Sequence, residues 1–158
     1  WGQSPAKTAA ATLLFPLVTF FVAAAVAFAT GTSWGTMGIL LPMIVPWAWA
    51  LSIESGNSII VLLSAAAVLD GAIMGDHCSP ISDTTVMSSI ASGCDHIDHV
   101  RTQIPYALST MAIAGAGYFA LASGAPWWLV MVGGILVIIA LFWLVGRPVQ
   151  AVGDTGES

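Results

Sequence analysis

Charge is scarce in this chain. Only 7% of its 158 residues are charged and 58% are hydrophobic, whereas a soluble domain carries about 25% charged residues. A soluble surface cannot be built from that. Lys7, Arg101 and Arg147 are the only firm cations, and the formal net charge is -5, which removes the electrostatic footing for nucleic acid. Cysteine is nearly lacking too. Cys78 and Cys94 form no CxxC pair, so nothing points to a disulfide scaffold or an oxidising compartment. No HExxH and no internal repeat is present.

What is present is a series of apolar segments. The first, about Ala9 to Ala29, has roughly the 20 residues that cross a hydrocarbon core. Its length and the further apolar segments behind it argue against a signal peptide. The start reads as a cut inside a longer protein. A polar, glycine-containing knot follows at Thr30-Gly31-Thr32-Ser33-Trp34-Gly35-Thr36. The next piece, Met37 to Leu51, carries Pro42 and Pro46 and is short for a span, so the pair is expected to be a re-entrant hairpin. Ser58 to Gly75 is apolar apart from Ser64 and Asp70. Helix is expected to fail at Asp76-His77-Cys78-Ser79-Pro80, because Pro80 lacks an amide and disfavours helix at Ser79. A second half-helix runs from about Thr84 to Ser92. Spans at Ile104 to Ser123 and Pro126 to Val145 close the transmembrane domain, residues 1–146, and 147–158 form a polar tail expected to be disordered.

Three carboxylates, Asp70, Asp76 and Asp83, fall in one region, and each at a helix centre costs about 2.5 to 3.5 kcal/mol on the insertion scale. They must be protonated, solvated, paired or occupied by a cation. A broken helix suits the last. The first half would end in free carbonyls and the second would begin at Asp83, so a hard cation would find carbonyl, carboxylate and hydroxyl oxygens. The bland alternative makes Ser82 and Asp83 ordinary caps at a kink. Asp83→Asn would separate the two, since Asn keeps the cap but neither releases a proton nor offers a full charge. Ser82, Thr85, Ser89 and Ser92 recur on one helical face, which should turn from lipid towards protein or water. His77 is the candidate proton carrier or aspartate partner. Gly31 and Gly35 form GxxxG, for which helix packing and ligand binding weigh equally. The run Cys94-Asp95-His96-Ile97-Asp98-His99 has metal-ligand residue types, but at a membrane boundary it reads more simply as a solvated loop. Arg101 and Arg147, two spans apart, would both face the cytoplasm by the positive-inside rule.

Two passages, Phe28 to Thr36 and Gly75-Asp76-His77-Cys78-Ser79-Pro80-Ile81-Ser82-Asp83-Thr84-Thr85, resemble the C-terminal half of NhaC-type Na⁺/H⁺ antiporters, as does the continuation Cys94 to Tyr106. The resemblance covers about Phe28 to Leu108. It implies an all-α polytopic membrane protein of the ion-transporter superfamily, half of an inverted-repeat transporter with a re-entrant hairpin and an interrupted helix. It places the protein in the inner (plasma) membrane of a bacterium or archaeon. Lipid, Na⁺, H⁺, the missing N-terminal half and further copies of the chain are then its partners, with no cofactor beyond the transported ions.

Na⁺/H⁺ exchange is the leading expectation. Asp76 and Asp83 would alternate between cation and proton, with Ser79, Ser82, Thr84 and the hairpin-tip hydroxyls of Thr30, Thr32 and Ser33 as neutral ligands beside His77. A sister expectation is an Na⁺- or H⁺-coupled organic-acid or amino-acid exchanger, whose substrate carboxylate would rest at a helix N-terminus. No fixed Arg or Lys at membrane depth is present for such an anion, which favours the cation. From other classes, a non-transporting membrane subunit or a metal-dependent membrane enzyme built on Cys94 to His99 stay as alternatives.

Overall fold

The structure, a computed structural model, describes residues 5–145, with side chains from residue 10 to 144. The Lys7 side chain, Arg147 and the polar tail lie outside the described residues. Six helices follow in order: α1 (Pro5–Thr30), α2 (Ser33–Ser55), α3 (Ile59–Cys78), α4 (Asp83–Ser92), α5 (His96–Ala122) and α6 (Trp127–Val145). All but α4 are long and apolar enough to cross a bilayer. The chain is an all-α polytopic membrane protein.

The α1–α2 pair differs from the expected short second arm. α2 runs for 23 residues, unbroken through Pro42 and Pro46. Those prolines leave the carbonyls of Gly38 and Pro42 without their usual amide donors, a loss that membrane helices tolerate. The helix gains length at both ends. Thr32 caps its start by accepting from the Gly35 amide at 3.3 Å, and Gly56, at φ 70°, closes its end. Each arm is long enough to cross by itself, so the lengths do not call for a re-entrant turn.

The expected non-helical stretch also shrinks. Asp76, His77 and Cys78 belong to the last turn of α3, and only Ser79 to Ser82 leave the helix. Pro80 removes one donor, the one that would bond the Asp76 carbonyl, and the Ser79 amide replaces it at 3.1 Å. The helix therefore ends at the residue before the one that Pro80 restricts. With 20 residues α3 is about 30 Å long, a full span and not a half. α4 is the short partner, and α5 begins at His96, eight residues earlier than the expected span.

The core is the seam between α1 and α3, which run parallel. Along α3, Gly71, Gly75 and Ser79 meet the carbonyls of Phe20, Ala24 and Phe28 in turn. A Cβ at Gly71 or Gly75 would collide with the first two. Helices in a bilayer gain no hydrophobic attraction from each other, so close backbone approach through small residues supplies the packing. Ala23, Ala27, Ala67 and Ala72, all fully buried, extend the seam. The packing GxxxG of this chain is thus Gly71/Gly75. Gly31 instead ends α1 at φ 66° and abuts Ile81, and Gly35 sits under Thr32 in the first turn of α2. α6 packs only on α5 among the described elements.

Candidate functional site

Two breaks in the helical backbone meet at one end of the bundle. The α1–α2 turn lies against the α3–α4 loop, where Ser79 Oγ donates to the Phe28 carbonyl at 2.8 Å and Gly31 touches Ile81. The constant offset along the α1–α3 seam brings them together, because it aligns the end of one helix with the end of the other.

Asp76 is the centre of this region. Its residue is 4% exposed, and its carboxylate accepts from Ser82 Oγ at 2.8 Å and from Thr84 Oγ1 at 3.5 Å. The two hydroxyls lie 2.7 Å apart, so the single proton of Thr84 can go to Ser82 in place of Asp76 while Ser82 donates to Asp76. Ser82 occupies the N-cap position of α4, yet its side chain makes no cap bond. Its hydroxyl goes to the carboxylate instead. Among the described side chains no Lys or Arg pairs with Asp76; Arg101 sits 4.0 Å from Asp98 on an exposed stretch of α5. A buried carboxylate in the last turn of a helix also faces the negative end of the helix dipole. Burying a charge is costly unless it is paired and hydrogen-bonded.

The other sequence candidates distribute unevenly around it. Asp83 is exposed at the first turn of α4, with Oδ1 accepting from the Thr84 amide at 2.8 Å. His77 is exposed, its Nδ1 3.0 Å from the Ile73 carbonyl of its own helix, and is not brought to Asp76. Asp70 is also separate: one helical face away, it accepts from Tyr118 OH at 2.5 Å. At the α1–α2 turn, Thr32 is the α2 cap, Ser33 is half-buried, and Thr30 Oγ1 bonds the Val26 carbonyl at 2.9 Å. The buried hydroxyl there is Thr36, 3.4 Å from Thr30 Oγ1 and donating to the Thr32 carbonyl at 2.8 Å. Thr36 was within the polar knot, but its burial depends on which face of α2 turns inward.

The polar stripe of α4 turns to protein at three positions: Ser82, Thr85 and Ser89 are buried, and Ser92 is exposed. The stretch from Cys94 resolves into a cap and a helix. Asp95 accepts from the Ile97 and Asp98 amides at 2.9 and 3.2 Å. His96 turns back, with Nδ1 3.1 Å from Ser89 Oγ and Nε2 2.7 Å from the Pro80 carbonyl. Sequence reading missed this residue, since nothing local marks one histidine of the run as reaching 16 residues back. Among the described residues no group of three or more His, Cys, Asp or Glu converges as metal ligands do.

Comparison with known proteins matches the same region. The family model of the Na⁺/H⁺ antiporter family matches residues 3–123. A malate-2H⁺/Na⁺-lactate antiporter of Bacillus subtilis is 40% identical over 58% of this chain and 18% of its own length. An arginine/ornithine antiporter of Halobacterium salinarum is 38% identical over 75% of this chain and 22% of its own. The Na⁺/H⁺ antiporter NhaC of Alkalihalophilus pseudofirmus is 33% identical over 55% and 18%. No solved structure matches. The chain spans about a fifth of the length of these relatives. With its five span-length helices and a family match over most of its length, the chain belongs to the Na⁺/H⁺ antiporter family, whose members are membrane-embedded secondary transporters and not enzymes.

Proposed function

We propose that the protein exchanges Na⁺ for H⁺ across the inner membrane of a bacterium or archaeon, serving pH homeostasis, with Asp76 as the coupling carboxylate. The observation that carries this reading is the burial of Asp76 against two hydroxyls with no basic partner among the described residues. Ser82 and Thr84 would contribute neutral oxygens to Na⁺, and the carbonyl end of α3 would contribute its partial negative charge. A proton and Na⁺ then compete for one carboxylate, so binding of either releases the other. That competition is sufficient for exchange once the site opens alternately to the two sides.

A second reading has the same carboxylate couple an organic acid or amino acid to the ion. It is favoured by the malate/lactate and arginine/ornithine relatives, both more similar to this chain than the NhaC relative is. Under that reading Na⁺ or H⁺ stays on Asp76, and the organic substrate binds elsewhere in the longer protein.

The test is Na⁺-driven change of internal pH in everted vesicles carrying the full-length protein, normalised to folded protein. Asp76→Asn is expected to abolish the response, because Asn retains the shape but neither the charge nor the proton. Asp83→Asn, which still offers an oxygen to the Thr84 amide, is expected to stay within a few-fold of the parent. An Asp76→Asn protein that exchanges at the parental rate with an unshifted pH profile would overturn the assignment. Loss of exchange only in Asp83→Asn would move the coupling role to Asp83. A parental protein that responds to Na⁺ only with malate, lactate, arginine or ornithine present would favour the second reading.

A further inference from the structure

The contacts of His96 obey a donor count that has a chemical consequence. A carbonyl oxygen only accepts, so the 2.7 Å contact to Pro80 requires a proton on Nε2. Ser89 has a single O–H, and two acceptors lie within its reach: the Val86 carbonyl at 2.8 Å and His96 Nδ1 at 3.1 Å. If the hydroxyl points to Nδ1, the ring is neutral. If it points to Val86, the contact with the ring remains a hydrogen bond only when Nδ1 carries a proton and donates to Ser89 Oγ. The arrangement therefore accommodates both protonation states of the imidazole by turning one hydroxyl.

What the ring holds is the loop that presents Ser82 to Asp76. Pro80 lies two residues before Ser82, whose amide bonds the Ser79 carbonyl at 3.3 Å and whose hydroxyl reaches the carboxylate. The Pro80 carbonyl is turned towards the start of α5. His96, from the start of α5, holds it from outside.

We propose that His96 is a positioning residue that fixes the Ser79–Ser82 loop over Asp76, and that it holds the loop more firmly as the imidazolium than as the neutral ring. A donor with full charge makes the shorter and stronger bond to a carbonyl. For its consequence in transport this rests on the exchange reading above: protonation on this side of the bundle would tighten the hydroxyl cage around Asp76.

The ionisable groups around His96 are otherwise engaged or distant. On its own helix, Asp95 caps the α5 amides, Asp98 lies by Arg101, and His99 and Tyr106 follow along the helix. Cys94 Sγ contacts the Ser89 carbonyl at 3.7 Å. α4 contributes only Asp83, six residues before Ser89. From α3, Asp76 is held by hydroxyls, His77 by Ile73 and Asp70 by Tyr118, with Cys78 half-buried. α6 carries no ionisable residue and α1 only Lys7.

The test measures amide hydrogen exchange over residues 79–85 in the full-length protein in detergent without Na⁺, at about pH 6 and about pH 8. His96→Ala is expected to raise exchange in that segment about tenfold, the scale of one lost hydrogen bond, with the α1–α3 seam unchanged. His96→Gln supplies an uncharged donor group and an acceptor, as the neutral ring does. It is expected to restore parental protection at the higher pH and to lack the extra protection the parent gains at the lower. Two results would overturn the proposal: parental protection in His96→Ala, or a parent-to-Gln ratio that is the same at both pH values. Na⁺-driven proton movement is measured on the same proteins. A parent without it would sink the exchange reading and leave the exchange-protection result for His96 standing.

Discussion

A serine at the start of a helix ordinarily turns its hydroxyl onto the helix's own amides; Ser82 turns it onto a carboxylate six residues earlier. That single diversion makes a capping serine a partner of the carboxylate. Ser82→Ala is expected to raise the apparent KM for Na⁺ about ten- to a hundredfold, since a hydrogen bond to a charged group contributes about 1.5–3 kcal/mol. The folded yield should be unchanged, because α4 loses no cap. Ser79→Ala should behave in the opposite way. Its hydroxyl ties the loop to the Phe28 carbonyl of α1, so its loss should loosen the docking of the two breaks and lower the midpoint of thermal unfolding in detergent. Initial rates of Na⁺-driven pH change, together with thermal scans of both variants, check the split.

At the scale of elements, the parallel contact of α1 with α3 sets where everything else lies. Gly71, Gly75 and Ser79 recur every fourth residue and ride on successive carbonyls of α1. In an exposed helix, Gly→Ala stabilises by up to about 1 kcal/mol. At Gly75 the sign should reverse, because the added methyl would meet the Ala24 carbonyl and lie 2.9 Å from the Ala27 methyl. Backbone on one side and a packed alanine on the other leave nothing to yield, so the expected loss is roughly 1–3 kcal/mol. Thermal unfolding of purified Gly75→Ala checks it, and a variant as stable as the parent would show that the seam opens freely. The pattern was visible in the sequence only as apolar small residues. Its twin at Gly31 and Gly35 has the same spacing and a different use, as a helix end and a first turn, because spacing alone does not specify a positive φ or a facing backbone.

Across the whole molecule, the end that carries the two breaks also carries Asp95, Asp98 and Arg101. By the positive-inside rule this end should face the cytoplasm. Cys94 is exposed two residues before α5, so its own thiol serves as the reporter in a protein whose other cysteines, Cys78 among them, are replaced by serine. An impermeant maleimide is expected to label it in everted vesicles and not in intact cells. Ready labelling from outside would invert the topology. The opposite direction along α3 presents Asp70, exposed on the described helices and bonded to Tyr118. A carboxylate in a membrane span does not face lipid without cost, and the relatives are about five times longer than the match.

The sequence by itself determined the class of the protein and the place where its polar groups gather. Scarcity of charge requires a bilayer, and the Asp76 to Thr85 motif with Pro80 requires a helix end among polar groups, because both follow from what a backbone without an amide and a surface without charge can do. Where helices ended was less legible: with Pro42 and Pro46 the second segment read as short and irregular for a span, yet both stand inside α2, since a proline removes one donor whether or not its neighbours let the helix continue. Only the tertiary structure decided which of three aspartates is enclosed. Asp76 turns into the cage, while Asp83 and Asp70 turn outward, and that follows from the register of α3 on α1, a long-range fit of glycines to carbonyls. His96 belongs to the same category, because its reach back to Pro80 exists only once α5 has docked beside the loop.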